Sequence, residues 1–182
     1  MSSRYAPRGP EAEFQPGSHG RVLRNLLGLQ RVRDITLAES QALQLVQDQA
    51  IERYTVDHCF TAADICDLHR SWLGAIYPWA GQYRTVNIGR GGFQFANAAL
   101  IPNLMRDLDR GPLKRFTPCH TQPDAQIAHA LAVVHAEPMS GRGKSPYIAG
   151  IHVAMGRDYG PLAAIFQRVI ALTWKRVASS ER

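Results

Sequence analysis

One stretch of this chain asks for a β-hairpin, and nearly everything around it has a helical period. Gln82–Ile88 alternates Tyr83, Thr85 and Asn87 against Arg84, Val86 and Ile88, which is the spacing of a strand. Gly89-Arg90-Gly91-Gly92 supplies a turn, and Phe93-Gln94-Phe95 can return antiparallel. A hairpin alone is marginal in water, so this one must lie on a helical body. The expected fold class is mostly α, a helical core with one hairpin over about 82–95.

The helices read from their caps and apolar stripes. Thr36 with Glu39 suggests a capping box for a helix over 37–54, with Leu43, Val46, Ala50 and Tyr54 on one face. Thr61 with Asp64 opens a second helix striped by Ile65, Leu68 and Trp72 and closed at Tyr77-Pro78. A third spans 98–110, with Leu100/Ile101, Leu104 and Leu108 inward, and Gly111-Pro112 closes it. Pro123 suits the first position of the next helix, faced by Ile127, Leu131 and Val134 and stopped by Pro138. A short helix follows Ser145-Pro146, with Ile148, Ile151 and Met155. The last begins near Pro161 and carries Leu162, Ile165, Phe166, Val169, Ile170 and Trp174.

With 182 residues, the chain suits a single domain over 20–182. Residues 1–19, rich in Pro, Gly, Ser and charge, read as a flexible lead-in without the apolar centre of a signal peptide. No apolar run reaches the roughly 18 residues of a membrane span, so no membrane partner and a cytoplasmic location are expected. The net charge is +6, and 18 of the 21 basic residues are Arg. They are scattered rather than clustered, and no nucleic-acid-binding module is visible, so nucleic acid is not an expected partner.

Three further patterns carry chemistry only superficially. His58-Cys59, Cys66-x-x-His69 and Cys119-His120 hint at zinc, but adjacent side chains point apart and no C-x-x-C is present. Three cysteines without regular spacing do not make a disulfide framework. Gly143-Lys144-Ser145 looks like the end of a phosphate-binding loop, yet the Gly that such a loop needs five residues earlier is Pro138.

Several runs of the chain, in order, resemble the Fic (Fido-domain) family. They are Gly20-Arg-Val-Leu-Arg-Asn-Leu-Leu-Gly28, Phe60-Thr-Ala-Ala-Asp64 and Trp72-Leu-Gly-Ala-Ile-Tyr-Pro-Trp-Ala-Gly-Gln-Tyr-Arg84. Gly91-Gly-Phe-Gln-Phe-Ala96, Ile101-Pro102, Leu131-Ala-Val-Val-His-Ala-Glu137 and Gly156-Arg-Asp-Tyr-Gly160 continue the match. The resemblance implies an all-α core with one hairpin, the flap. It implies transfer of AMP from ATP, with Mg²⁺, onto a hydroxyl of a target protein. The target would lie along the flap as an added strand, here against Arg84, Val86, Asn87, Gly91, Gly92, Phe93, Gln94 and Phe95. The Phe93 and Phe95 rings serve either that recognition or packing onto the core.

The family's signature, H-P-F-x-[DE]-G-N-G-R-x-x-R, combines a His base, a Gly-rich helix start that cradles phosphate, a carboxylate for Mg²⁺ and Arg residues for the remaining charge. It is absent from this chain. Two alignments are open. In one, His135 is the catalytic base of a decayed motif and Gly141, Arg142, Gly143 and Lys144 face the phosphates. In the preferred one, His135-Ala-Glu137 belongs to the helix before the signature, and Gly141–Lys144 matches a region beyond it. The chain would then carry an internal deletion near 138–140. The expectation is a catalytically impaired relative of the adenylyltransferases, with ATP and Mg²⁺ not bound productively. An active transferase with a divergent site over His135–Lys144 and a non-enzymatic partner-binding module are the alternatives. The missing helix would expose apolar surface on Ile127–Val134 and on the last helix, which suggests self-association or an antitoxin-like partner.

Overall fold

Thr61 and Asp64 cap each other as their spacing requires. The Thr61 hydroxyl accepts from the Asp64 N–H at 3.2 Å, and the Asp64 carboxylate accepts from the Thr61 N–H at 2.8 Å. Helix α2, Ala62–Leu73, starts there. This computed structural model describes residues 9–90, 93–136 and 158–180. The short helix expected after Ser145 lies outside the described residues.

Helix α1, Val32–Arg53, starts five residues before the position expected from Thr36 and Glu39. Backbone N–H groups of Asp34 and Ile35 bond to the Arg31 carbonyl, so Thr36 is already inside the helix. Its carbonyl accepts from the Ser40 hydroxyl at 2.8 Å. Glu39 is no cap, because its carboxylate accepts from the Tyr77 hydroxyl at 2.7 Å. Its backbone carbonyl accepts from the Trp72 indole N–H at 2.8 Å. The expected stripe does hold: Val46 is buried, and Leu43, Ala50 and Tyr54 are half-buried.

α2 ends at Gly74, one turn before Tyr77-Pro78. The Ile76 and Tyr77 N–H groups fold back onto the Leu73 carbonyl. That turn drives Ile76, Tyr77 and Ala80 into a core with Val22, Ile35 and Leu73. Tyr77 stacks on Trp79 at 4.7 Å between ring centroids, and His69 stacks on Trp79 at 6.0 Å. Gly81 follows at φ +77°, and a Cβ there would lie 2.6 Å from the Arg70 Cβ, so no other residue fits. The Gly81 N–H donates to His69 Nδ1 at 2.8 Å.

These elements belong to the first of two compact units, made by the described residues up to Thr55 with Thr61–Asn103. Residues 9–19, expected as a flexible lead-in, are tied into it. Phe14 bridges Leu23 antiparallel, the Gln15 N–H bonds to the Val22 carbonyl at 2.8 Å, and Ser18 is 1% exposed. Asn25 then holds its loop closed, donating to the Leu23 and Leu29 carbonyls and accepting from the Leu29 N–H at 2.9 Å.

After the hairpin, a 3₁₀ turn, Ala98–Leu100, leads into α3, Ile101–Leu108. Ile101, Met105 and Leu108 are buried at helical spacing. Gly111-Pro112 does not end the run as expected. Pro112 has no N–H to bond back, and the chain widens into a π turn, Asp109–Leu113, before a last α turn, α4, Lys114–Phe116.

The second unit comprises Val56–Phe60 and the described residues from Leu104 onward. The Pro123 carbonyl accepts from the Gln126 and Ile127 N–H groups, and α5, Asp124–Ala136, follows. It packs on α6, Gly160–Ser180. Ala132 and Leu162 are both 0% exposed and sit among Tyr159, Ala163, Ile165 and Phe166. The apolar exposure expected on these two helices is not found among their described side chains. Ala128, Ala132 and Leu162 are buried, and Ile127 and Leu131 are half-buried. The two helices cover each other. No described helix is long and apolar enough to cross a membrane.

Two stability effects follow. Replacing Glu39 by Ala leaves the buried Tyr77 hydroxyl without its acceptor, and urea unfolding should show a loss of about 1–3 kcal/mol. Glu39→Gln, which keeps an acceptor oxygen, should cost clearly less. Burial lowers the His69 pKa below 6.5. Because the folded value is depressed, its contribution is complete above pH 6.5 and is lost as pH falls through the folded value. His69→Asn, whose side-chain oxygen can accept from Gly81 without titrating, should flatten this acid limb in thermal melts between about pH 4 and 7.

Candidate functional site

The flap is shorter than its sequence pattern. Strand β1 is Gly89–Arg90 and β2 is Phe93–Gln94, antiparallel, with Gly89 opposite Gln94 and Arg90 opposite Phe93. The Phe95 N–H extends the ladder to the Ile88 carbonyl at 3.1 Å. Gln82–Ile88, expected as a full strand, is not one, because side chains rather than a neighbouring strand take up its backbone groups.

Arg84 and Glu11 do this, while Asn87 ties the segment to the turn that follows the hairpin. Arg84 donates to the Val86 carbonyl at 2.6 Å and, closer still, to the Ala96 carbonyl, so one guanidinium ties both legs of the hairpin. Burial lowers the Arg84 pKa, and the nearby Glu11 carboxylate opposes that shift. The Asn87 side-chain oxygen accepts from the Ala98 N–H at 2.8 Å and closes the hairpin's base onto the next turn. Glu11, from the N-terminal turn Pro10–Ala12, accepts from the Thr85 N–H, from the Thr85 hydroxyl at 2.8 Å and from the Val86 N–H at 3.2 Å. Burial alone would raise the Glu11 pKa, but bonds from Thr85 and Val86 outweigh it and the value falls below 4.5.

Of the residues read from sequence as target-facing, Arg84, Val86 and Asn87 therefore build the base. Val86 is 3% exposed, and its N–H and carbonyl are already taken by Glu11 and Arg84, so it serves the base rather than a target. Phe93 and Gln94 form β2, and Phe95 is half-buried just beyond it. Gly91 and Gly92 lie outside the described residues. Glu11 was not legible as part of this site, since its partners lie more than 70 residues away and it follows no motif.

The residues expected for a divergent reaction centre can be followed only at His135. His135 is the penultimate residue of α5, and its side chain lies outside the described set. Gly141, Arg142, Gly143 and Lys144 lie outside the described residues as well.

His120, Cys59 and His69, which had hinted at zinc, have separate partners. His120 Nδ1 is 2.8 Å from the Val56 carbonyl, and its Nε2 is 3.6 Å from the Asp57 carboxylate. The Cys59 thiol lies 3.8 Å from the Thr117 carbonyl, and burial raises the Cys119 pKa. His69 receives the Gly81 N–H. Among the described residues no three metal-ligating side chains converge.

This arrangement of helices and flap has counterparts. The BepC protein of Bartonella tribocorum, a VirB-translocated effector solved with bound AMPPNP, superposes with a TM-score of 0.60 at 15% identity, over 81% of this chain and 91% of that one. The FIC domain of Bep5 from Bartonella clarridgeiae gives 0.59 at 15% identity, over 85% and 91%. The N-terminal Fic domain of an effector from Bartonella sp. AR 15-3 gives 0.54 at 14% identity, over 80% and 69%. At such identities the likeness is one of fold. The family model described as Fic/DOC matches residues 59–139, from the strap before α2 to just past α5. Over those residues the chain is similar to the Fic/DOC family, and its fold is shared with the Fic domains above.

Proposed function

We propose that this chain is a Fic-fold protein descended from enzymes that move AMP from ATP onto a target hydroxyl, and that it keeps the flap but has lost the transfer. The observation that carries this reading is the sequence that follows α5. Where the family's base, acidic residue, Gly-rich turn and Arg should come in succession, the chain has Pro138-Met139-Ser140-Gly141-Arg142-Gly143-Lys144. The family match ends at residue 139, where the signature would continue. His135 stands in the last turn of a helix, which agrees with its place in the family's helix before the signature.

The residues present do not suit Mg²⁺·ATP in the family's manner. If His135 is aligned as the base, Met139 falls at the acidic position, and a thioether is no ligand for a hard divalent cation. Glu137 is the nearest carboxylate in sequence, and it precedes the turn instead of lying within it. Arg142 and Lys144 retain positive charge in a Gly-rich segment, which can attract an anion without orienting it for transfer. What remains suited to function is the hairpin, whose backbone can add a target strand.

Incubation of the purified protein with α-labelled ATP, Mg²⁺ and host-cell proteins should therefore label nothing above the no-enzyme control. Labelling that His135→Ala abolishes would overturn the reading in favour of an active transferase with a divergent site.

A further inference from the structure

We propose that Glu11 is a positioning residue of the flap, its single carboxylate doing for the incoming leg what a neighbouring strand would otherwise do. The inference rests on the flap being the docking element described above. Its geometry is specific. One oxygen, Oε1, collects all three donors, two from the backbone of Thr85 and Val86 and one from the Thr85 hydroxyl. These two residues precede β1 by only a few positions. An unpaired donor pair here would leave the leg free to swing.

The carboxylate is itself held in place. A Cβ on Gly9 would stand 2.6 Å from the Val86 Cγ1, so the N-terminal segment runs directly against Val86 and only glycine permits the approach. The Ala12 N–H bonds to the Gly9 carbonyl at 2.9 Å and closes the turn that presents Glu11. Beyond it, the Arg24 N–H bonds to the Glu13 carbonyl at 2.8 Å, and the two side chains pair at 2.8 Å. The segment is thus anchored on the first unit's body and reaches the flap through Glu11. Arg84 and Asn87 tie the flap's legs to each other and to the next turn, and neither supplies this link to the body.

The test is amide hydrogen exchange on the full chain without any target, read as protection factors. Glu11→Ala should speed exchange about tenfold or more at Thr85, Val86 and also Phe95, whose N–H closes the hairpin, with α2 unchanged. Glu11→Gln offers an oxygen at the same place and should restore most of the protection at neutral pH. Acidification gives a second readout. Arg84 is a charged group facing Glu11, and the Glu13–Arg24 pair lies on the same segment. The Glu11 pKa is lowered, so the wild-type flap should loosen only as pH falls below 4.5, and the Gln variant should not follow it. Acceleration confined to Thr85 and Val86, with Phe95 unchanged, would overturn the proposal. So would an acid response shared by the wild type and the Gln variant, a comparison that holds even if the Ala variant fails to fold. Because no target is present, either failure leaves target docking by the flap undecided by this experiment, and a failure of docking leaves Glu11's role standing.

Discussion

The first unit turns on Glu39, which accepts two hydrogen bonds from residues beyond the middle of α2. Its carbonyl takes the Trp72 indole and its carboxylate takes the Tyr77 hydroxyl. Both donors are attached to large rings that must be buried, and each ring brings a polar group that needs a partner there. Placing those partners on one residue of α1 fixes how α2 ends and where the chain goes next. The stacked Tyr77, Trp79 and His69 follow from it, then the close approach at Gly81, and then the leg that enters the flap.

The flap is held by side chains more than by strand pairing. Two paired residues on each side would be a weak hairpin alone. Arg84 bridging two carbonyls, Asn87 on the Ala98 N–H and Glu11 on Thr85 and Val86 supply what the short ladder lacks. A hairpin braced in this way can offer backbone groups to a partner without first being ordered by it, which reduces the entropic cost of docking. In the proposed reading, this hairpin is the part kept for recognition. The sequence after α5 does not carry the family signature, and this asymmetry motivates that reading.

Much of this was legible in sequence, and most of the exceptions share one cause. Thr61 and Asp64 were readable because both halves of their cap lie within four residues. Thr36 and Glu39 have the same spacing, yet Glu39 is claimed by Tyr77, 38 residues on. Gln82–Ile88 alternates like a strand, but Glu11 takes two of its donors from 74 and 75 residues away. Pro112 looked like a stop because proline usually breaks an α-helix, whereas a π turn absorbs the missing bond. Local pattern identifies what a segment prefers. Distant polar partners decide the outcome, and a single sequence does not display them. For the candidate site, the family's runs and the absent signature were visible directly as residue types, and the bracing of the flap was not.

The central claim, that the scaffold survives without a working nucleotide site, is tested most directly by calorimetric titration of the purified protein with ATP and Mg²⁺. The account predicts no saturable heat at millimolar ligand. A saturable isotherm that weakens in Arg142→Ala or Lys144→Ala would contradict it and show that the segment after α5 still holds phosphate.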